Sequence, residues 1–306
     1  MIVVIGSINM DLVWRVPRMP LPGETLAGAT LLTVPGGKGA NQAVACARLS
    51  AAHTRVAMIG CLGDDAFGVT LRATLRADGI DERHVTTLSG VASGVASILV
   101  DSAGQNSIVL AAGANALLNA DHIDAARALI EQASIVLLQL EIPLATVAHA
   151  IGLAHSLGKT VVLNPAPAAT LPAELLAMVD YLIPNEIEAA MLAGAPACEH
   201  AQARQPPALA ARLRAAGCRT VLITLGAQGV LAALGEHPAR LFAAHAAAAV
   251  DTTAAGDTFI GAFSAALAAG RGELEAIAFG QRAAAISVTR SGAQTSIPHL
   301  HEMEHV

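Results

Sequence analysis

Short aliphatic runs alternate with longer amphipathic or alanine-rich stretches along the chain, and this rhythm limits the fold more than any other feature. The runs are 2–5 (IVVI), 56–60 (VAMIG), 135–140 (IVLLQL), 160–163 (TVVL), 181–183 (YLI) and 221–224 (VLIT). Helix candidates lie near 38–49, 66–77, 121–132, 144–157, 186–193 and 207–216, with two more at 257–269 and 273–289. Strands that are apolar on both faces and separated by helices predict an α/β fold, a mostly parallel central sheet covered on both sides. In such sheets binding sites gather at the C-terminal ends of the strands.

Two stretches break the rhythm. Residues 10–34 carry Pro17, Pro20, Pro22 and Gly23 between short alternating segments. Residues 91–111 read as a hairpin turning at Asp101-Ser102-Ala103-Gly104. Both read as antiparallel strands outside the main layers, together forming a small β-sheet lid. Segment 194–208, with Gly194, Pro196, Pro206 and Pro207, reads as a surface loop, and 243–249 only as a tolerant strand or loop. With no internal repeat and no linker, one domain over 1–306 with a lid is expected.

Composition removes several alternatives. Hydrophobic residues are 54% of the 306, but no uninterrupted apolar run approaches the ~20 residues of a membrane-spanning helix. The opening run is short and lacks the basic flank of a secretion signal, so a cytoplasmic location is expected. The formal charge of −6, with no cluster of Lys and Arg, argues against nucleic acid as a partner. Cys46, Cys61, Cys198 and Cys218 form no CxxC pair and sit in apolar stretches, as reduced buried thiols do. The histidines are dispersed, without the spacing of a metal site.

Two glycine-containing loops carry the chemistry. Residues 35–42 read Pro-Gly-Gly-Lys-Gly-Ala-Asn-Gln. Gly39 follows Lys38 where a Walker A loop needs Ser or Thr, and the GxGxxG spacing is absent. Clustered glycines allow close backbone approach to a ligand, and Asn41 would sit in the first turn of the next helix. A tight turn capping that helix is the plain alternative. Residues 250–259 read Val-Asp-Thr-Thr-Ala-Ala-Gly-Asp-Thr-Phe, and a small-residue helix follows. A helix start without bulky side chains leaves its first N–H groups open to an anion such as a transferring phosphoryl group. Asp257 beside it is either an N-cap or a general base for an attacking hydroxyl. A simple cap does not require a loop stripped of side chains, which favours the base.

Taken together, Gly36-Gly37-Lys38-Gly39-Ala40-Asn41 and Asp251-Thr252-Thr253-Ala254-Ala255-Gly256-Asp257-Thr258-Phe259 resemble the two signatures of the PfkB-type (ribokinase) family of carbohydrate kinases. The likeness spans nearly the whole chain. Further matching stretches are 6–11 (GSINMD), 138–141 (LQLE), 163–168 (LNPAPA), 184–188 (PNEIE), 222–226 (LITLG) and 288–294 (VTRSGAQ). The lysine of the first motif is closest to the ribokinase branch.

This resemblance implies a three-layer α/β/α ribokinase-like fold with a β lid, and a homodimer formed through that lid. It implies ATP-dependent phosphorylation of D-ribose at its 5-hydroxyl. Asn9, Asp11, Gly36, Gly37, Lys38, Asn41 and Glu141 match sugar-contacting positions. Asp257 matches the base, and the loop 254–257 matches an anion hole made by the backbone of Ala254, Ala255, Gly256 and Asp257. Asn185 and Glu188 match a motif associated with Mg²⁺ and the nucleotide phosphates. Thr224, Leu225, Gly226, Ala227, Gln228, Gly229, Gly256 and Gln281 match nucleotide-contacting positions. Asp251, Thr253, Ser287, Arg290, Gly292 and Ser296 match a monovalent-cation site, so activation by K⁺ is expected. Gln281 stands where relatives often carry His or Asn, and Ala254 where most of the family has Gly.

The rivals are a family kinase for deoxyribose, fructose or a nucleoside, and a non-catalytic sugar-binding regulator. A nucleoside needs an apolar or aromatic base pocket, and the chain has one Trp and one Tyr. An intact Asp257 and an intact small-residue loop argue against the regulator.

Overall fold

The computed structural model describes residues 1–28, 30–194, 205–235 and 237–305. Among them, nine strands form one sheet in the order β13-β12-β11-β10-β9-β8-β1-β4-β5. These are β1 (Ile2–Ile5), β4 (Val56–Gly63), β5 (Asp81–Leu88), β8 (Ile135–Leu138), β9 (Thr160–Leu163), β10 (Tyr181–Leu182), β11 (Thr220–Thr224), β12 (Val230–Ala233) and β13 (Arg240–Phe242). All neighbours from β5 to β11 run parallel, while β12 and β13 finish that edge antiparallel.

Helices cover both faces. One carries α1 (Lys38–Leu49), α2 (Ala66–Ala77), α9 (Ala255–Ala268) and α10 (Glu273–Ser287). The other carries α3 (Ala120–Ala125), α4 (Arg127–Gln132), α5 (Leu144–Ser156), α6 (Ala173–Leu176), α7 (Glu186–Leu192) and α8 (Pro206–Ala215). Strand β1 shows why two-sided apolar runs were needed: Ile2 and Val4 enter the first core, Val3 and Ile5 the second. This is the three-layer α/β/α arrangement that the alternation demands.

A second sheet, ordered β3-β2-β6-β7, is built from β2 (Asn9–Arg15), β3 (Thr30–Gly36), β6 (Gly94–Val100) and β7 (Asn106–Ala111). The lid segments therefore pair with each other, and the 101–104 turn closes with the Gly104 N–H on the Asp101 carbonyl at 3.0 Å. One detail departs from expectation. The β2–β6 pairing that joins the two segments is parallel, so the lid sheet is mixed. Each segment is a local antiparallel hairpin, but the join is long-range and has no sequence signal.

Other differences are local. The helix expected over 121–132 is split at Ala126, and β5, β12, β13 and α6 were not anticipated. Strand β5 lies at the sheet edge and reads DERHVTTL, with only Val85 buried, so it lacks the two-sided apolar signature. Cys46, Cys61 and Cys218 are buried free thiols, as expected; Cys198 lies outside the described residues, as does most of the 194–208 loop. Among the described residues, no helix is long and apolar enough to cross a membrane.

Candidate active site

The first glycine loop joins β3 of the lid to α1 of the body. Gly37 is the N-cap of α1 at φ 86°, a conformation natural only to glycine. A Cβ there would stand 2.6 Å from the Asn9 backbone nitrogen, and one on Gly39 would stand 2.6 Å from that of Ser7. The loop is thus a place where backbone lies directly on backbone, and the helix-capping alternative is part of its role. The Ala40 N–H donates to the Ser7 carbonyl at 2.9 Å, locking α1 to the end of β1.

Around this junction the polar residues converge. Glu141, just past β8, accepts from the Ser7 hydroxyl at 2.6 Å, the Lys38 N–H at 3.2 Å and, more weakly, the Asn9 amide at 3.5 Å. Asn115 pairs with both backbone groups of Ile8 and donates to the Asn9 Oδ1 at 2.7 Å, which turns the Asn9 amide nitrogen toward Glu141. Asp11 lies against Gly36, where any side chain would collide with its carboxylate. Burial, helped by the nearby Glu141 and Asp257, pushes the Asp11 carboxyl up to about 7, against the pull of Lys38. Burial alone would lower the Lys38 ammonium, but Asp257, Glu141, Glu188 and Asp11 outweigh it and hold it above its ordinary value.

The second loop delivers Asp257 to the same place. Helix α9 begins at Ala255, with Ala254 as N-cap at φ 58° and ψ 13°. Among the described residues, Ala254 is the one non-glycine residue with positive φ. Asp257 is therefore at the third helical position, and the N-cap reading is set aside. Its carboxylate does not fold back onto the helix. It accepts from the Asn41 amide at 3.0 Å and the Gln42 amide at 2.8 Å, both from α1. This needs α1 and α9 to cross closely, which Gly261 permits: a Cβ there would press on Ala45 and sit 2.9 Å from the Gln42 carbonyl. Of the first amides of α9, Ala255 donates to the Thr252 carbonyl at 3.2 Å, while Gly256 and Asp257 have no acceptor among the described residues. A Cβ on Gly256 would meet nothing within 4 Å.

These open amides face a cleft of about 780 Å³ whose wall includes Lys38, Asn164, Asn185, Glu188, Thr224, Gly226, Ala227, Gly229, Ala254, Ala255, Gly256, Asp257 and Gln281. Asn9, Asp11, Gly36, Gly37, Asn41 and Glu141 are not on that wall; Glu141 is bonded to the Lys38 N–H and Asn41 to the Asp257 carboxylate beside it. Leu225 and Gln228 are not on the wall; Leu225 packs against a core instead. The 244–249 segment, which had no assigned role, supplies Ala244, His245, Ala246, Ala247 and Ala249 to the wall. Gln281 ties this segment down, its amide donating to the carbonyls of Phe242 at 2.7 Å and Ala243 at 3.1 Å.

Asn185 and Glu188 form a capping box at the start of α7. The Asn185 Oδ1 accepts from the Glu188 N–H, and Glu188 Oε2 from the Asn185 N–H, each at 2.8 Å. Burial holds the Glu188 carboxyl above its ordinary value, against its bond from Asn185 and the charge of Lys38. Asp251, Thr253, Ser287, Arg290 and Gly292 gather where the 250–253 loop meets the end of α10. The Val250 and Asp251 N–H groups share the Val288 carbonyl at 2.7 and 3.2 Å. Asp251 accepts from the Thr253 and Gly292 N–H groups, both at 2.9 Å. These bonds hold its carboxyl below the ordinary range although burial opposes them. Arg290 turns its guanidinium to Glu302, and Ser296 is buried with its hydroxyl on the Ala293 carbonyl at 2.7 Å.

Comparison with known proteins decides what this arrangement belongs to. Residues 1–300 match the model of the pfkB family carbohydrate kinases. The chain belongs to that family. It is an ATP-dependent sugar kinase. A ribokinase from Haemophilus influenzae is 46% identical over 299 residues, spanning 98% of this chain and 95% of that protein. One from Schizosaccharomyces pombe is 44% identical over 307 residues, spanning 99% and 96%. The solved structure of an Arabidopsis thaliana ribokinase complexed with ribose and ATP superposes with a TM-score of 0.86 at 33% identity, covering 99% of this chain and 97% of that one.

Sequence reasoning gave no role to Ser7, Gln42, Asn115, Gln139 and Asn164, all buried and all hydrogen-bonded within this kinase's polar cluster. Ser7, Gln139 and Asn164 each lie within two residues of the end of a buried strand, where an α/β sheet places its site, so their positions carried a usable signal.

Proposed function

We propose that the chain transfers the γ-phosphoryl group of ATP to the 5-hydroxyl of D-ribose. One observation carries this reading: the Asp257 carboxylate stands between a buried polar cluster suited to vicinal hydroxyls and two unpartnered amides at the start of α9. Asn9, Asp11, Gly36, Gly37, Lys38, Asn41 and Glu141 bind the sugar. Buried carboxylates and amides that expect hydroxyl partners reject a sugar lacking one, because a group is then left unpaired. Asp257 takes the proton of the attacking hydroxyl, and the Gly256 and Asp257 amides receive the migrating phosphoryl group with the field of α9 behind them. The Ala255 amide joins them if its long bond to Thr252 gives way. ATP lies along Thr224, Gly226, Ala227, Gly229, the 244–249 segment and Gln281.

The oxygen donors at two places fit metal ions. The Glu188 oxygen not used in the capping box fits Mg²⁺ accompanying the nucleotide. At the junction of Asp251, Thr253, Ser287, Arg290, Gly292 and Ser296, main-chain carbonyls would supply the oxygen ligands that a hard cation such as K⁺ takes. Bound there, such ions neutralise phosphate charge and stiffen the loop leading into α9. The lid pairs with a second copy: Leu31, Leu32, Ile108, Val109 and Leu110 of its strands are exposed apolar residues. A monomeric mass in solution would contradict that pairing.

ADP release measured with a panel of pentoses, hexoses and nucleosides, with and without K⁺, tests the substrate. Ribose turns over best and K⁺ raises the rate. A nucleoside exceeding ribose by about tenfold in kcat/KM removes the assignment.

Asp11 adds a pH dependence. In the sugar-free protein its carboxyl keeps its proton to about 7, whereas an unfolded aspartate releases it near ~4. The pKa is raised on folding, so this group's contribution to stability is present at low pH and lost as pH rises through 7. Sugar hydroxyls donating to Asp11 favour the ionised form instead. Ribose affinity therefore rises toward neutrality, by about tenfold per pH unit below 7 at most, then levels off. Titration calorimetry between pH 5.5 and 8 reads this as ~tenfold steps with proton release, and Asp11→Asn abolishes the slope.

A further inference from the structure

The Asp257 carboxylate does not stand free beside the cleft. Its Oδ1 accepts from the Gln42 Nε2 at 2.8 Å, and Gln42 is fully buried. The same amide nitrogen donates to the Asn164 Oδ1 at 3.1 Å, and the Gln42 Oε1 accepts from the Gln139 Nε2 at 2.6 Å. Asn164 donates in turn to the Ile183 carbonyl at 2.9 Å. That main-chain acceptor fixes the Asn164 amide in one orientation, with its oxygen toward Gln42. Gln42 then has two acceptors at its nitrogen and one donor at its oxygen, so flipping it would break all three bonds. The chain crosses the ends of three strands, from Ile183 beyond β10 to Asn164 beyond β9 and Gln139 beyond β8. Its hub is Gln42, which accepts from Gln139 and donates both to Asn164 and to Asp257 of α9.

We propose that Gln42 is a positioning residue for the sugar kinase reaction, holding the Asp257 carboxylate in a fixed plane through a network of buried amides anchored on the main chain. This rests on the reading of Asp257 as the base. With Oδ1 held by Gln42 and Oδ2 by Asn41, the carboxylate cannot rotate, and its remaining lone pairs stay directed at the acceptor hydroxyl. A donor aimed at a carboxylate favours its charged form. The charged groups facing Asp257 are Lys38 from α1, Asp11 from β2 and Glu188 from α7.

The test compares the pH profile of kcat in Gln42→Leu, Gln42→Glu and Asp257→Asn, with sugar KM and melting temperature recorded for each. Gln42→Leu is expected to lower kcat at neutral pH by about tenfold and move the acid limb to higher pH. Gln42→Glu keeps the shape and, when protonated, one of the two donated bonds, so it serves as the second variant beside the leucine one. It puts a second carboxyl against Asp257, and the two titrate as a coupled pair, so the acid limb changes position and resolves into two steps. Sugar KM stays within about twofold in both. An acid limb unmoved in Gln42→Glu, or a loss equal at every pH, overturns the proposal and leaves Gln42 a packing residue. Asp257→Asn separates the two claims. If it is inactive while the Gln42→Glu limb is unmoved, the positioning role alone fails; if it remains active, the base itself fails and the positioning role with it.

Discussion

Asp257→Asn is expected to bind ribose with nearly unchanged affinity and to lose about 10²–10⁴-fold in kcat, the range general bases contribute. The substitution preserves shape and burial but removes the lone-pair basicity that takes the hydroxyl proton. It also carries a local conflict. Both Asp257 oxygens accept from amides, so the NH₂ group brought in by the substitution needs the Asn41 amide, whose Oδ1 has no partner, to turn over and accept from it, which buries the Asn41 NH₂ without an acceptor instead. That mismatch costs about 1–3 kcal/mol of stability, and a lowered melting temperature should accompany the lost turnover. Calorimetric titration with ribose and single-turnover assays at saturating ATP distinguish the two effects. Turnover within about tenfold of the unaltered protein would remove Asp257 from the role of base.

Gly256→Val is the second large effect. Most close glycines in this structure are there for the fold, as Gly37 and Gly39 are, where a Cβ would strike backbone. Gly256 is different. Its φ is not positive, and its Cβ would meet no atom within 4 Å. Nothing in the ligand-free chain requires a glycine there, so the variant should fold and melt like the parent. The space is needed by the phosphoryl group at the Gly256 and Asp257 amides. Filling it is expected to lower kcat about 10²–10³-fold, as loss of one oxyanion-hole donor does. A substantial fall in melting temperature, or undiminished turnover, would contradict this role for the glycine.

The sequence carried the main layers because buried parallel strands must be apolar on both faces, and β1, β8, β9 and β11 show that signature directly. It carried the two loops because their lack of side chains is itself a signal. Strand β5 escaped because an edge strand with seven of its eight positions at least partly exposed reads as polar loop. The parallel β2–β6 join escaped because pairing across some 80 residues leaves no local trace. At the site, sequence pointed to Asp257 and Asn41 but not to their hydrogen bond, which depends on how closely two helices cross at Gly261. Gln42, Gln139 and Asn164 were passed over because a lone amide looks like any polar residue until its partners are known. Asn185 and Glu188, read as one turn apart on a helix face, prove to cap each other, which leaves only the second Glu188 oxygen for a ligand.

The place where the two substrates meet decides the mechanism. A crystal structure of the chain with ribose and a non-hydrolysable ATP analogue measures this directly. The terminal phosphate should lie on the Gly256 and Asp257 N–H groups at the start of α9, with the ribose 5-hydroxyl within hydrogen-bonding distance of the Asp257 carboxylate. A terminal phosphate bound away from that helix end, or a sugar whose 5-hydroxyl points away from Asp257, would contradict it.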